Sequence, residues 1–131
     1  MTDSIRVLHV DDNPEFAEMA ATFLETEDDR LTVETAHSAR DGLEQMADGE
    51  FDCIISDYEM PGQSGIEFLK AVRETHAELP FILYTGKGSE AVASDAISAG
   101  VTDYLQKEAG TEQYELLANR VRHAVERRRA Q

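Results

Sequence analysis

The chain has a single cysteine, Cys53, so it can form no internal disulfide, which suits a reducing compartment. It also lacks any apolar run approaching the roughly 18 residues that a membrane span needs. The amino terminus, MTDSIRVLHVDDN, meets acidic residues where a secretory signal would need an apolar stretch, and nothing there reads as a targeting segment. Basic residues are scarce: 12 Lys and Arg stand against 27 Asp and Glu, a formal net charge of −15. That sign repels nucleic acid and anionic membranes, so neither is expected as a partner. Internal repeats, low-complexity tracts and linkers are missing too. What is present is one domain of 131 residues, 41% hydrophobic, expected to fold without disulfides or structural metal and to be cytoplasmic.

The acids are spread along the whole chain, among them Glu25, Glu27, Asp28, Asp29, Glu44, Asp48, Glu50, Glu74 and Glu78. A solvated surface, as in an organism with high internal salt, accounts for most of them; cation binding is the alternative for a few.

Short apolar runs alternate with longer amphipathic segments, the pattern of repeated strand–helix units. Strands are predicted at Ile5–Val10, Leu31–Ala36, Phe51–Ser56, Phe81–Thr85 and Val101–Tyr104. Pro14 marks a first helix start, with Phe16, Ala20, Phe23 and Leu24 on one face. Ser38, Ser64 and Ser89 are predicted caps of the next three helices. Their inward residues are Leu43, Met46 and Ala47, then Ile66, Leu69 and Val72, then Val92, Ala96 and Ile97. Gly49, a point before Pro80 and Gly100 are the expected stops. A last helix runs from about Thr111 to the chain end, with Tyr114, Leu117, Val121 and Val125 in register.

The first, third and fourth strands are almost continuously apolar, as strands covered on both faces should be. The second, Leu-Thr-Val-Glu-Thr-Ala, alternates and is expected at an edge. Five such units with right-handed crossovers give an α/β fold, a doubly wound, flavodoxin-like parallel sheet of strand order 2-1-3-4-5. Ligands of such sheets bind beyond the carboxyl ends of the strands.

At those ends the sequence places Asp11 and Asp12, Asp57, Thr85 with Gly86 and, past the fifth strand, Lys107. Three carboxylates at one edge repel one another unless a counter-ion intervenes. Mg²⁺ suits such an oxygen set, taking one or two carboxylates plus waters and phosphate.

Val10-Asp11-Asp12-Asn13, Ile55 through Gly62, Tyr84-Thr85-Gly86 and Asp103 through Lys107 together resemble the motifs of the response-regulator receiver domain, in order and spacing, over residues 5 to about 125. The resemblance implies phosphoryl transfer from the phosphohistidine of a histidine kinase to Asp57, with Mg²⁺ as cofactor. It implies that Asp12 binds the metal directly, Asp11 mainly through water, and that Asp57 and the backbone carbonyl of Glu59 complete the protein ligands. It further implies that Thr85, Gly86 and Lys107 receive the phosphoryl oxygens, and that Tyr104 rotates as Thr85 moves. The surface of the fourth helix, fifth strand and fifth helix would then change its preference for an output domain or partner; a homodimer is a further expectation. The resemblance also implies that Glu59 and Lys87 stand at positions that tune loss of the phosphoryl group, by pairing over the site; a solvated surface pair is the alternative.

One departure bears on the site. Glu108 stands where receivers usually have a cis proline, so a trans bond and a looser loop at Lys107 are expected. Residues 126–131 are expected to be a helix end or a connector to a domain not in this chain. The segment from Phe81 to Glu90, with Asp103 to Lys107, resembles receivers attached to sensor histidine kinases of halophilic archaea.

Other signals are weaker. Gly86-Lys87-Gly88-Ser89 lacks the earlier glycine of a phosphate-binding loop, Phe81 standing there instead. His9, His37, His76 and His123 share no ligand spacing; one is read on a strand and three at the surface. Cys53 reads as a small core residue, and Arg127-Arg128-Arg129 as a solvated helix end. A Mg²⁺-dependent phosphatase with an aspartyl nucleophile is the alternative function. It would need an aspartate where Glu59 stands and a cap over the substrate.

Overall fold

The computed structural model describes residues 4–86 and 89–131; Lys87, which the sequence singled out, lies outside the described residues. Five strands, β1 (Ile5–Val10), β2 (Leu31–Ala36), β3 (Cys53–Ser56), β4 (Phe81–Thr85) and β5 (Asp103–Gln106), alternate with five helices. These are α1 (Pro14–Glu27), α2 (Ala39–Asp48), α3 (Gly65–Thr75), α4 (Glu90–Ser98) and α5 (Glu112–Arg129). All strand pairs are parallel, in the order β2-β1-β3-β4-β5, as the apolar patterning predicts. With every strand running the same way, all five carboxyl ends open on one edge.

The period-two alternation of a strand divides the core cleanly. Ile5, Val7, Cys53, Ile55, Ile82 and Tyr84 face α1 and α5, where Ala20, Leu24, Tyr114, Leu117, Val121 and Val125 meet them. Leu8, Val10, Ile54, Phe81 and Leu83 face the other way, onto Ile66, Phe68, Leu69 and Val72 of α3 and Ala96 of α4. Each fully buried Leu or Ile contributes about 1.5–3 kcal/mol, which explains why three strands read as unbroken apolar runs. The predicted caps hold: Ser38, Ser64 and Ser89 each accept a backbone N–H from three residues on, and Glu67 closes a capping box on Ser64.

Several expectations shift. Ala47, predicted inward on α2, is exposed, and β5 ends at Gln106 rather than Tyr104. β3 begins at Cys53 rather than Phe51, because the Asp52 carboxylate accepts the Arg6 N–H (2.8 Å) and turns the chain into the strand. β5 begins at Asp103 rather than Val101. Gly100, at φ +93°, completes the exit from α4, and the Val101 N–H still donates to Ala96 (3.0 Å). Ile97, predicted inward on α4, is 71% exposed, while Ala96 beside it is fully buried. A nine-residue helix resting on one small buried residue leaves its larger apolar neighbour outside.

Candidate functional site

The carboxyl edge is built by backbone continuation of the sheet. Asp57 N–H donates to the Val10 carbonyl (2.9 Å) and Asp11 N–H to that of Ala36 (3.0 Å), so both aspartates extend the ladder by one residue. The Lys107 N–H donates to Thr85 (2.9 Å), bringing the end of β5 level with the end of β4. No side chain has to reach far: the strands deliver Asp11, Asp57, Thr85 and Lys107 to the same place.

Asp11 is 1% exposed. One of its oxygens accepts the Asn13 N–H at 2.9 Å and the other the Lys107 ammonium at 2.8 Å. Asp57 is held in the same way, by the Tyr58 N–H on Oδ1 (2.7 Å) and Lys107 on Oδ2 (3.2 Å). Its side chain is 13% exposed, open enough for a small group to reach. Asp12 is exposed, and one oxygen from each of Asp11, Asp12 and Asp57 lies within 4.8 Å of the others. Lys107 offsets one of these three negative charges. An all-oxygen donor set with surplus negative charge fits a hard divalent cation. Asp12 also lines an open cleft of about 400 Å³ with Tyr58, Glu59, Met60, Pro61 and Ser64. A cavity of about 430 Å³ at the amino ends of the strands, lined by Met46, Phe51, His76 and Arg128, has no part in this cluster.

Lys107 is only 19% exposed, although residues 108–111 of the loop that follows it are exposed. Its ammonium sits 4.1 Å from the centroid of the Phe16 ring and 5.9 Å from that of Tyr84. Phe16 read in the sequence only as part of an apolar helix face; nothing in its spacing announced contact with a lysine 91 positions away. Behind these rings lies His9, fully buried, its ring edge-on to Phe16. Burial pushes His9 down to about 4 despite the upward pull of Asp11, so it is neutral near pH 7. His37, His76 and His123 are exposed, and Cys53 is buried with its thiol pushed up by desolvation.

Thr85 is 1% exposed at the end of β4. A Cβ on Gly86 would meet the Lys107 Cδ at 3.9 Å, an ordinary contact. Tyr104 on β5 packs its ring against the α3–α4 side of the core, and its hydroxyl is buried without a hydrogen-bond partner among the described residues. Glu59 is exposed on the loop after Asp57. Nothing in the spacing of Gly65 singles it out, yet it lies against the backbone carbonyl of Asp57: a Cβ there would lie 2.1 Å from that oxygen.

Comparison with known proteins agrees with this geometry. Residues 7–119 match the response regulator receiver domain. The chain is 34% identical over 124 residues to a protein-glutamate methylesterase/protein-glutamine glutaminase of Nocardioides, covering 92% of this chain and 34% of that protein. It is 35% identical over 102 residues to the transcriptional regulatory protein CpxR of Escherichia coli K12, covering 78% of this chain and 42% of that protein. It thus spans roughly a third to a half of the length of these relatives. Among solved structures, the chemotaxis protein CheY4 of Vibrio cholerae superposes with a TM-score of 0.82 at 32% identity, over 90% of this chain and 98% of that one. Fold, carboxylate edge and family match coincide: the chain belongs to the response regulator receiver domain family.

Proposed function

We propose that this domain accepts a phosphoryl group on Asp57 from the phosphohistidine of a histidine kinase. The observation that carries the reading is the Asp57 carboxylate itself, partly open and joined to Asp11 through the shared Lys107 ammonium (3.2 and 2.8 Å). Asp11 is sealed at 1% exposure, while Asp12 is exposed at the rim of the cluster. In the transfer, an Asp57 oxygen attacks phosphorus, the P–N bond breaks, and its electron pair leaves with the imidazole. Asp11, Asp12, Asp57 and the Glu59 carbonyl would hold Mg²⁺, which supplies charge neutralisation on the phosphoryl oxygens. Lys107 takes one of those oxygens as a point charge, and Thr85 and Gly86 border the others.

Thr85 and Tyr104 are the proposed switch. A buried hydroxyl without a partner costs about 1–3 kcal/mol, so the inward Tyr104 is a position that phosphate-driven movement of Thr85 can favour or release. The face of α4, β5 and α5, with exposed Ile97 on α4, would carry that change to an output domain, a kinase domain in the same protein, or a second copy. We place the domain in the cytoplasm. The test is incubation with acetyl phosphate and Mg²⁺: stoichiometric single labelling, lost on chelation with EDTA, supports the reading. Steady-state turnover of a generic phosphate ester would point instead to a phosphatase.

Glu59 is exposed and lines the open cleft with Asp12 and Tyr58, two residues from Asp57. Glu59→Ala is expected to change the phosphoryl lifetime by about three- to tenfold, the range of a modest change in charge and access near a reacting group. Following label decay after removal of the donor checks this, and an unchanged decay rate removes Glu59 from the role. The −15 charge supports the resemblance to halophilic archaeal receivers. Self-repulsion of that size should be relieved by salt, so the melting temperature is expected to rise steadily from about 0.1 to 1 M KCl, as the screening length shortens from about 10 to 3 Å. Thermal melts across that series decide it.

A further inference from the structure

The loop that follows Lys107 has no proline, and every peptide bond among the described residues is trans. Yet Lys107 is well placed, so something other than a restricted peptide bond fixes this loop. We propose that Gln113 is a positioning residue for Lys107, its carboxamide clasping residues 108–110 to Tyr84 of β4. The inference rests on the reading of Lys107 as a phosphoryl-binding group.

A glutamine side chain offers two acceptor lone pairs and two N–H donors, and here all four are used. Its Oε1 accepts the Glu108 N–H (3.1 Å) and the Tyr84 hydroxyl. Its Nε2 donates to the Gly110 carbonyl (2.7 Å) and to that of Glu108. The orientation is fixed, since the Glu108 N–H can only donate and the two carbonyls can only accept. Gly110, at φ +89°, turns the chain so that its carbonyl faces the amide; a residue with a Cβ would resist that conformation. Thr111, the residue before α5, makes no side-chain cap bond, so the start of the helix is tied to the loop through Gln113 instead.

Tyr84 couples the clasp to the site. Its hydroxyl is bound by Gln113, and its ring stands 6.3 Å from that of Phe16, the two rings flanking the Lys107 ammonium. Glu108, held at both N–H and C=O, is the residue directly after Lys107. Releasing Gln113 therefore frees the lysine from one side and lets the Tyr84 ring tilt on the other. Such a role is invisible in sequence because Gln113 is a polar residue in the first turn of a helix, where glutamine is unremarked.

The test uses Gln113→Ala, isosteric Gln113→Glu, which sets a carboxylate against the two carbonyls, and Tyr84→Phe, which removes one oxygen and keeps the core. Labelling by acetyl phosphate with Mg²⁺ is expected to slow about ten- to a hundredfold in both Gln113 variants, the scale of a misplaced reacting group, and less in Tyr84→Phe. Mg²⁺ affinity should not fall, because no ligand carboxylate is removed and release of the Lys107 ammonium only frees oxygens of Asp11 and Asp57. The distinguishing readout is the lysine spectrum. With only Lys70, Lys87 and Lys107 in the chain, isotope-labelled lysine gives three side-chain signals. The signal of Lys107, shifted upfield by the Phe16 ring, should move toward the ordinary lysine position in the Gln113 variants. A lowered melting temperature with an unmoved Lys107 signal and unchanged labelling would overturn the proposal. If the wild-type protein is not labelled at all, the phosphoacceptor reading fails, while the lysine spectrum still decides whether Gln113 positions Lys107.

Discussion

Asp57→Asn is expected to give a folded protein that acetyl phosphate no longer labels, with at least about a thousandfold loss, because a neutral amide oxygen is not a nucleophile toward phosphorus. The fold should survive. Asn keeps the oxygen that accepts the Tyr58 N–H (2.7 Å), and the backbone bond from Asp57 to Val10 (2.9 Å) is untouched. Two further consequences separate this from simple loss of a surface charge. Without metal, three carboxylates converge within 4.8 Å, so removing one relieves repulsion, and the variant should melt no lower than the wild type in EDTA. With metal the order should reverse. A lost oxygen ligand lowers Mg²⁺ affinity by about tenfold or more, equivalent to about 1.4 kcal/mol, and Mg²⁺ stabilises whichever protein binds it better. Crossing of the two melting temperatures between EDTA and about 10 mM Mg²⁺ is the observation to seek. Persistent labelling of the variant would assign the phosphoryl group to another residue.

How much of this could be read in the sequence depends on the kind of constraint. Asp11, Asp57 and Thr85 were legible because parallel strands leave no choice about where their ends lie; once β1, β3 and β4 are recognised as buried apolar runs, the edge assembles itself. β1, β2 and β4 even keep their predicted bounds. Val101 and Phe51 misled because an apolar residue after a helix exit or before a strand looks like strand. Hydrogen bonds decide otherwise, from Val101 back to Ala96 and from Arg6 to Asp52. Ile97 misled for a different reason: helical spacing gives a face, while the depth of burial depends on how closely α4 approaches the sheet. The parts of the site that stayed hidden, Phe16, Gln113 and Gly65, act through contacts between elements distant in sequence. Phe16 and Gln113 serve Lys107 from α1 and α5, and neither residue type signals that duty by itself. The trans bond before Glu108 was predictable; the compensation for it was not.

Gly65 illustrates the largest such hidden effect. It is the first residue of α3, and its N–H donates to the Tyr58 carbonyl at 2.7 Å, drawing the helix start against the Asp57 backbone. A Cβ at this position would stand 2.1 Å from the Asp57 carbonyl oxygen, 3.0 Å from its carbon and 2.9 Å from Leu83 Cδ1. The oxygen cannot step aside cheaply, since Ser56 Oγ donates to it at 2.9 Å and the Asp57 N–H is fixed to β1. Nor can Leu83 yield, being fully buried among α3 and α4 side chains. Gly65→Ala must therefore displace either the start of α3 or the peptide of Asp57. Overpacking of this kind costs about 1–3 kcal/mol and more where backbone is the obstacle, so a loss of about 3 kcal/mol in urea unfolding is expected. Labelling of the folded variant should also slow about ten- to a hundredfold, because rotation of the Asp57 peptide tilts the carboxylate away from Lys107 and from the cleft. Gly62→Ala is the internal control. Gly62 has φ +88° with nothing within 4 Å of its missing Cβ, so alanine there strains only its own backbone, by about 1 kcal/mol, and should leave the labelling rate intact. If both variants lose stability while both keep the wild-type labelling rate, Asp57 is not held in place by Gly65; loss of rate in Gly65→Ala alone locates the constraint at the contact between α3 and the Asp57 carbonyl.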